Sequence, residues 1–175
     1  MDLLLWRHAE AYDASAEQPD DMLRRLTPRG KSQARRMAKW LDQHLPDGVR
    51  ILCSPAVRCE STVAALGRKY KLCPELSPEG DAQSLLALAQ WPDARTPVLV
   101  VGHQPTLGYV AAQLLEAPGW KATGVEATDF EAARVATPRY ALSVRKGSVW
   151  WLRNRVRMDV QSTLVHCVQS PDMLW

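Results

Sequence analysis

The sequence predicts an α/β fold, in which helices cover both faces of a mostly parallel central sheet to form a three-layer sandwich. Two observations predict this class. Short continuous apolar runs, of which Val98–Val101 is the clearest, alternate with segments whose apolar residues recur at helical spacing. The length of 175 residues, with 46% hydrophobic and 23% charged residues, suits one domain over residues 1–175 without a large cap domain.

The first half of the chain predicts two strand–helix pairs. Asp2–Trp6 is a continuous apolar run typical of a buried strand. A helix follows over residues 27–45, because Thr27 is a favoured N-cap residue and apolar side chains recur at helical spacing after it. Val49–Cys53 predicts the second strand, and residues 54 to about 70 predict the second helix.

The following segments continue this alternation. After a loop over residues 74–80, residues 81–90 predict a third helix. Pro97–Gly102 predicts a strand that is buried on both faces, because four of its central residues are Val or Leu. A fourth helix is predicted from residue 105 to about residue 116, so the parallel part of the sheet is complete at this point.

The last third of the chain predicts antiparallel structure. Tyr140–Val144 and Ser148–Val156 flank Arg145-Lys146-Gly147, a short segment whose glycine can adopt positive φ. We therefore expect a C-terminal antiparallel hairpin with its turn at these three residues. Gln161–Val168 has an alternating pattern and could pair beside the hairpin, whereas residues 119–136 predict no particular element.

Composition and charge exclude several functional classes. The formal net charge of +3 comes from 22 basic and 19 acidic residues, a balance too even to indicate a nucleic-acid partner. The apolar run Leu3–Trp6 is interrupted at once by Arg7, so we expect neither a signal peptide nor a membrane segment. The four cysteines form no Cys-x-x-Cys pair, which favours free thiols and a cytoplasmic protein.

Unusual polar groups end three of the predicted parallel strands. Arg7 and His8 end the first strand, Ser54 ends the second with Arg58 soon after it, and His103 ends the third. Ligands of open α/β sheets bind at the carboxyl ends of the strands, so these groups are expected to meet in one site. A single histidine at a strand end is more often structural, but two histidines with two arginines favour phosphate chemistry. Arginine holds phosphate oxygens in a bidentate manner, and a neutral imidazole can attack phosphorus.

Five motifs in order resemble those of a known family. They are Arg7-His8-Ala9, Arg25-Leu26-Thr27-Pro28-Arg29-Gly30, Ser54-Pro55-Ala56-Val57-Arg58-Cys59-Glu60-Ser61-Thr62, Pro74-Glu75-Leu76-Ser77-Pro78-Glu79-Gly80-Asp81 and Gly102-His103-Gln104-Pro105. Together they cover roughly residues 1–116 and resemble the phosphoglycerate mutase-like histidine phosphatase superfamily, in particular its short SixA-like phosphohistidine phosphatases. Ala9 stands where the family signature usually has glycine, and its small size is expected to leave the backbone N–H able to approach phosphate.

The resemblance implies a role for each of the four central residues. His8 would be the nucleophile that accepts the phosphoryl group, and Arg7 and Arg58 would clamp the phosphate oxygens. His103 would be the second histidine of the phosphate pocket and would donate a hydrogen bond to the transferring group. No metal and no cofactor are implied, because the arginines and the histidine supply the positive charge.

No motif fixes a proton donor for the leaving group. Glu75, Glu79 and Asp81 lie in the loop where relatives that cleave esters could present a carboxylic acid. An alkoxide needs a proton in order to leave, whereas an imidazole, with an ordinary pKa of about 6.5, departs easily from a phosphoramidate. A site without a dedicated acid is therefore expected to favour cleavage of P–N bonds over P–O bonds.

Three functions remain open on these grounds. The first is a phosphohistidine phosphatase that acts on a phosphorylated protein, for example a histidine-phosphotransfer domain. The second is a small-molecule phosphomonoesterase of the same superfamily, and the third is an inactive phosphate-binding module. The sequence favours the first, because about 34 residues between Cys59 and Asp93 leave no room for a cap that would enclose a small metabolite. No nucleic-acid or membrane partner is expected, and the oligomeric state stays open.

Overall fold

A six-stranded sheet forms the centre of the computed structural model, which describes residues 1–16, 19–115, 141–158 and 160–174. Its strands in chain order are β1 (Asp2–Arg7), β2 (Arg50–Cys53), β3 (Lys71–Leu72), β4 (Val98–Gly102), β5 (Val149–Arg157) and β6 (Val160–Gln169). Across the sheet they are ordered β3-β2-β4-β1-β5-β6. The first four strands are parallel, and β5 and β6 are antiparallel to their neighbours.

Two helices lie on each face of this sheet. The helices are α1 (Pro28–His44), α2 (Val57–Ala64), α3 (Ala82–Ala89) and α4 (Thr106–Leu115). Alternate residues of β1 serve the two layers: Leu3 and Leu5 pack with α3 and α4, whereas Leu4 and Trp6 pack with α1 and α2. The predicted three-layer α/β sandwich is therefore confirmed.

Local sequence signals explain where the helices begin and end. The hydroxyl of Thr27 accepts a hydrogen bond from the Gly30 N–H and caps α1, as the sequence predicts. The second helix is shorter than the predicted range of residues 54–70, since α2 spans Val57–Ala64. The chain turns after this helix, where Gly67 adopts a φ of 68°. The exposed two-residue strand β3 has no apolar pattern and was not predicted.

The predicted hairpin around Arg145-Lys146-Gly147 is wrong. Residues 141–145 form no strand, and Tyr140 and the segment 119–136 lie outside the described residues. The turn exists, since Ser148 N–H donates to the Arg145 carbonyl at 3.0 Å, but both edges of β5 are taken by β1 and β6. The C-terminal hairpin is therefore formed by β5 and β6, and the prediction that Gln161–Val168 is a strand is confirmed.

The connection between α2 and β4 is short. It contains β3, a 3-10 turn at Pro74–Leu76 and α3, so no cap domain is inserted between residues 65 and 97.

Among the described residues, no helix has both the length and the apolar character needed to cross a membrane.

Candidate active site

The carboxyl ends of three adjacent strands meet at one edge of the sheet. His8 follows β1, Ser54 follows β2 and His103 follows β4, and β4 lies between the other two strands. Backbone hydrogen bonds continue past the strand ends, from His8 N–H to Gly102 at 3.1 Å and from Ser54 N–H to Val101 at 3.0 Å. As a result, the rings of His8 and His103 lie with their centroids 5.2 Å apart, as expected for a site at the strand ends.

His8 is held as a neutral imidazole. Its Nδ1 lies 2.7 Å from the carbonyl oxygen of Ala9. A carbonyl can only accept, so Nδ1 carries the proton and Nε2 carries the lone pair. Burial is the main cause that lowers the pKa of His8 to about 3; the charges of Arg58 and Arg7 act in the same direction, and the Ala9 hydrogen bond acts against them. At neutral pH the ring is therefore an uncharged nucleophile.

His103 is neutral as well, in a defined tautomer. Its Nδ1 lies 3.2 Å from Nη2 of Arg58, and its Nε2 lies 2.8 Å from Oγ of Ser54. Because a guanidinium can only donate, Nδ1 accepts and Nε2–H donates to Ser54. Burial lowers the pKa of His103 to about 3, with smaller contributions from Arg58 and His8.

The two arginines flank the histidines. Arg58 is 3% exposed and lies in the first turn of α2, and Nη1 of Arg7 donates to the Val144 carbonyl at 2.7 Å. Within the described residues, the Nε atoms of both side chains are buried and lack a hydrogen-bond partner. Buried cationic donors of this kind favour an anion, and phosphate oxygens match the planar guanidinium. The structure thus brings together Arg7, His8, Arg58 and His103.

Thr62 connects the nucleophile segment to the helix that carries Arg58. Its hydroxyl accepts a hydrogen bond from the Ala9 N–H at 3.0 Å and donates to the Arg58 carbonyl at 2.6 Å. The Ala9 N–H is therefore already paired, contrary to the expectation that it would approach phosphate. Ala9 is fully buried, which agrees with a small residue at this position.

Sequence reasoning missed Asp21, which contacts the site from the loop between β1 and α1. Its Oδ2 lies 2.6 Å from Nη2 of Arg58, and its Oδ1 lies 2.8 Å from Nη1 of Arg24. Asp21 begins a 3-10 turn (Asp21–Leu23) capped by Asp20. The acidic pair Asp20-Asp21 could have indicated a turn, but its contact with Arg58 depends on tertiary packing.

The three candidate proton donors lie on the loop that precedes α3. This loop is near the start of α4, because the Thr106 hydroxyl donates to the Gly80 carbonyl at 2.7 Å. Asp81 caps α3: its carboxylate accepts from the N–H and the hydroxyl of Ser84, and these bonds lower its pKa. Glu75 and Glu79 are exposed, and their carboxylates have no hydrogen-bond or ion-pair partner among the described residues. The assignment of a proton donor remains a prediction.

Comparisons with known proteins agree with this geometry. The sequence model of the histidine phosphatase superfamily (branch 1) matches residues 3–80. Phosphohistidine phosphatase SixA of Escherichia coli is 33% identical over 122 residues, which cover 65% of this chain and 74% of that protein. A solved structure of the protein histidine phosphatase SixA with tungstate aligns with a TM-score of 0.66 and 26% identity, over 98% of both chains. A structure from Nakamurella multipartitia that carries the SixA name aligns with a TM-score of 0.70 and 27% identity, over 97% of this chain and 95% of that one.

The two SixA structures share the fold of this chain along nearly its whole length. The similarity to the E. coli protein covers 74% of its length at 33% identity, which is sufficient to assign this chain to the same family. The chain belongs to the histidine phosphatase superfamily.

Proposed function

We propose that the protein is a phosphohistidine phosphatase, which removes the phosphoryl group from a histidine of a phosphorylated protein through a phospho-His8 intermediate. The observation that carries the proposal is the neutral His8, whose Nε2 is unprotonated beside the buried Arg58 and the half-buried Arg7. The similarity to the SixA proteins supports the same substrate class.

The first step transfers the phosphoryl group to the enzyme. Nε2 of His8 attacks phosphorus while the P–N bond of the substrate breaks and its electron pair stays on the departing nitrogen. When the other nitrogen of the substrate ring carries a proton, that ring leaves as neutral imidazole and needs no acid from the enzyme. The ring of His8 becomes positively charged, and the Ala9 carbonyl that accepts its Nδ1–H stabilises this charge.

The second step hydrolyses the intermediate. Water attacks phosphorus, the P–Nε2 bond breaks, and its electron pair returns to His8, which is again the neutral Nδ1–H tautomer. The proton of the water molecule goes to the phosphate product. Arg7 and Arg58 supply positive charge to the phosphate oxygens in both steps, so we include no metal in this mechanism.

The protonation states of Asp21 and Asp81 favour P–N cleavage. An alkoxide leaving group needs a proton, but Asp81 is held as a helix cap and its pKa is lowered. Asp21 contacts Arg58, and although burial opposes the change, hydrogen bonds from Arg24 and Arg58 lower its pKa too. Both carboxyl groups are therefore ionised at neutral pH and are poor acids.

A comparison of leaving groups tests this proposal. We expect kcat/KM for a phosphohistidine-bearing phosphotransfer domain to exceed that for a simple alkyl phosphate by at least about a hundredfold, because only the alkoxide requires an acid. His8→Asn should abolish phosphate release from both substrates. His44→Asn is the matched control, since His44 is an exposed histidine on α1, and its activity should equal that of the wild type. Comparable turnover of the alkyl phosphate would instead indicate a small-molecule phosphomonoesterase.

A further inference from the structure

The carboxylate of Asp21 forms an ion pair with Arg58, an arginine on which the proposed chemistry depends. Oδ2 of Asp21 lies 2.6 Å from Nη2 of Arg58, and Nη1 of Arg58 donates to the backbone oxygen of Asp21. The Arg58 side chain is 3% exposed, whereas that of Asp21 is 47% exposed. A carboxylate at the surface therefore reaches inward and neutralises the buried guanidinium.

Asp21 has a second basic partner. Nη1 of Arg24 lies 2.8 Å from Oδ1 of Asp21, and Nε of Arg24 donates to the Tyr12 carbonyl at 2.6 Å. The two oxygens of the carboxylate are thus held by different arginines. Because Arg24 is itself anchored to the backbone, the carboxylate can leave Arg58 and still remain paired with a positive charge.

The charge of Asp21 opposes the binding of another anion at Arg58. Burial raises the pKa of Asp21, but hydrogen bonds from Arg24 and Arg58 more than offset this effect and lower it. The carboxylate is consequently ionised at neutral pH. A phosphoryl group that approaches Arg58 meets this negative charge on the same guanidinium, and like charges at a shared partner repel each other.

We propose that Asp21 is an internal competitor of the phosphoryl group: its carboxylate pairs with Arg58 in the absence of substrate and shifts to Arg24 alone when a phosphoryl group binds. The inference rests on the proposed function, because it concerns the same pocket. Displacing Asp21 from Arg58 costs the same free energy for inorganic phosphate and for a phosphorylated protein. A phosphorylated protein can offset this cost by contacts with the surrounding surface, whereas inorganic phosphate offers only its oxygens.

The affinity for inorganic phosphate tests the proposal directly. We expect Asp21→Asn, which keeps the size of the side chain and removes its charge, to lower the Kd of inorganic phosphate about tenfold in calorimetric titrations. If this variant folds poorly by circular dichroism, Asp21→Ser removes the same charge with a smaller group and should shift the Kd in the same direction. An unchanged or higher Kd in the folded variant would overturn the proposal and indicate that Asp21 merely orients Arg58.

Asp13→Asn is the matched control. Asp13 lies in the same loop, is 95% exposed, and pairs with Arg24 rather than Arg58, at 3.4 Å. It loses the same charge, so a general electrostatic effect would lower the Kd in both variants, whereas the proposal requires a change in Asp21→Asn alone. Equal affinity of the wild type and Asp21→Asn for phosphate would refute the role of Asp21 as a competitor but would still support a phosphate-binding pocket. If phosphate bound to neither protein, the phosphate-binding pocket and the proposed function would both be refuted.

Discussion

At the scale of single residues, the protonation of two buried histidines determines what the site can do. His8 and His103 are 6% and 3% exposed. Nδ1 of His8 is protonated because the Ala9 carbonyl can only accept, and Nδ1 of His103 is unprotonated because the Arg58 guanidinium can only donate. The sequence predicts that both residues lie at the site. It could not predict their tautomers, because these depend on the Ala9 carbonyl and on the position of the Arg58 guanidinium.

The same two histidines make stability depend on pH. Each has a pKa of about 3 in the folded protein and an ordinary pKa of about 6.5 when unfolded. Below pH 6.5 the unfolded chain binds more protons, so the stability that is fully present above pH 6.5 is lost as the pH falls toward 3. We expect the free energy of unfolding to fall by about 3 kcal/mol between pH 6.5 and pH 5, measured by urea denaturation.

Removing one histidine separates its contribution from those of other groups. His103→Gln should reduce this pH-dependent loss by about half, because the two histidines have similar pKa values in the folded protein and contribute about equally. A variant that loses as much stability as the wild type over the same interval would show that His103 is not buried in its neutral form.

At the scale of elements, the contacts that hold the site differ in how far the sequence reveals them. The capped start of α1 and the apolar run of β4 are local patterns, so their positions follow from residue spacing. The hairpin at Arg145-Lys146-Gly147 was predicted from an equally local turn signal. This prediction was wrong because both edges of β5 pair with strands distant in sequence or downstream of it, β1 on one side and β6 on the other. The position of Asp21 depends on packing between a loop and α2, which no local pattern records.

Gly30 tests how closely α1 supports the nucleophile segment. A Cβ at this position would overlap the carbonyl of Glu10, two residues after His8. We therefore expect Gly30→Ala to lower the free energy of unfolding by about 2 kcal/mol or more, although alanine is the better helix former. Urea denaturation measures the change. Lys31→Ala, at the next and exposed position of α1, should stay within about 0.5 kcal/mol of the wild type. Equal stability of the two variants would show that α1 does not pack closely on this segment.

At the scale of the whole molecule, the shortness of the connection between α2 and β4 bears on the substrate. Residues 65–97 contain β3, a 3-10 turn and α3, so no inserted domain covers the strand ends from this side. The absence of an inserted domain in residues 65–97 agrees with the proposed substrate, a phosphorylated side chain that projects from a folded protein. This inference depended on recognising five motifs in order, since length alone allows many functions for an α/β domain.

Trapping the phosphoenzyme tests the central claim most directly. The protein is mixed with a phosphotransfer domain carrying labelled phosphohistidine, the reaction is quenched in alkali within milliseconds, and the labelled residue is identified by mass spectrometry. We expect an acid-labile phosphoryl group on His8, which forms before phosphate is released and is absent from His8→Asn. Release of phosphate without a labelled enzyme, or a label on any other residue, would contradict the mechanism.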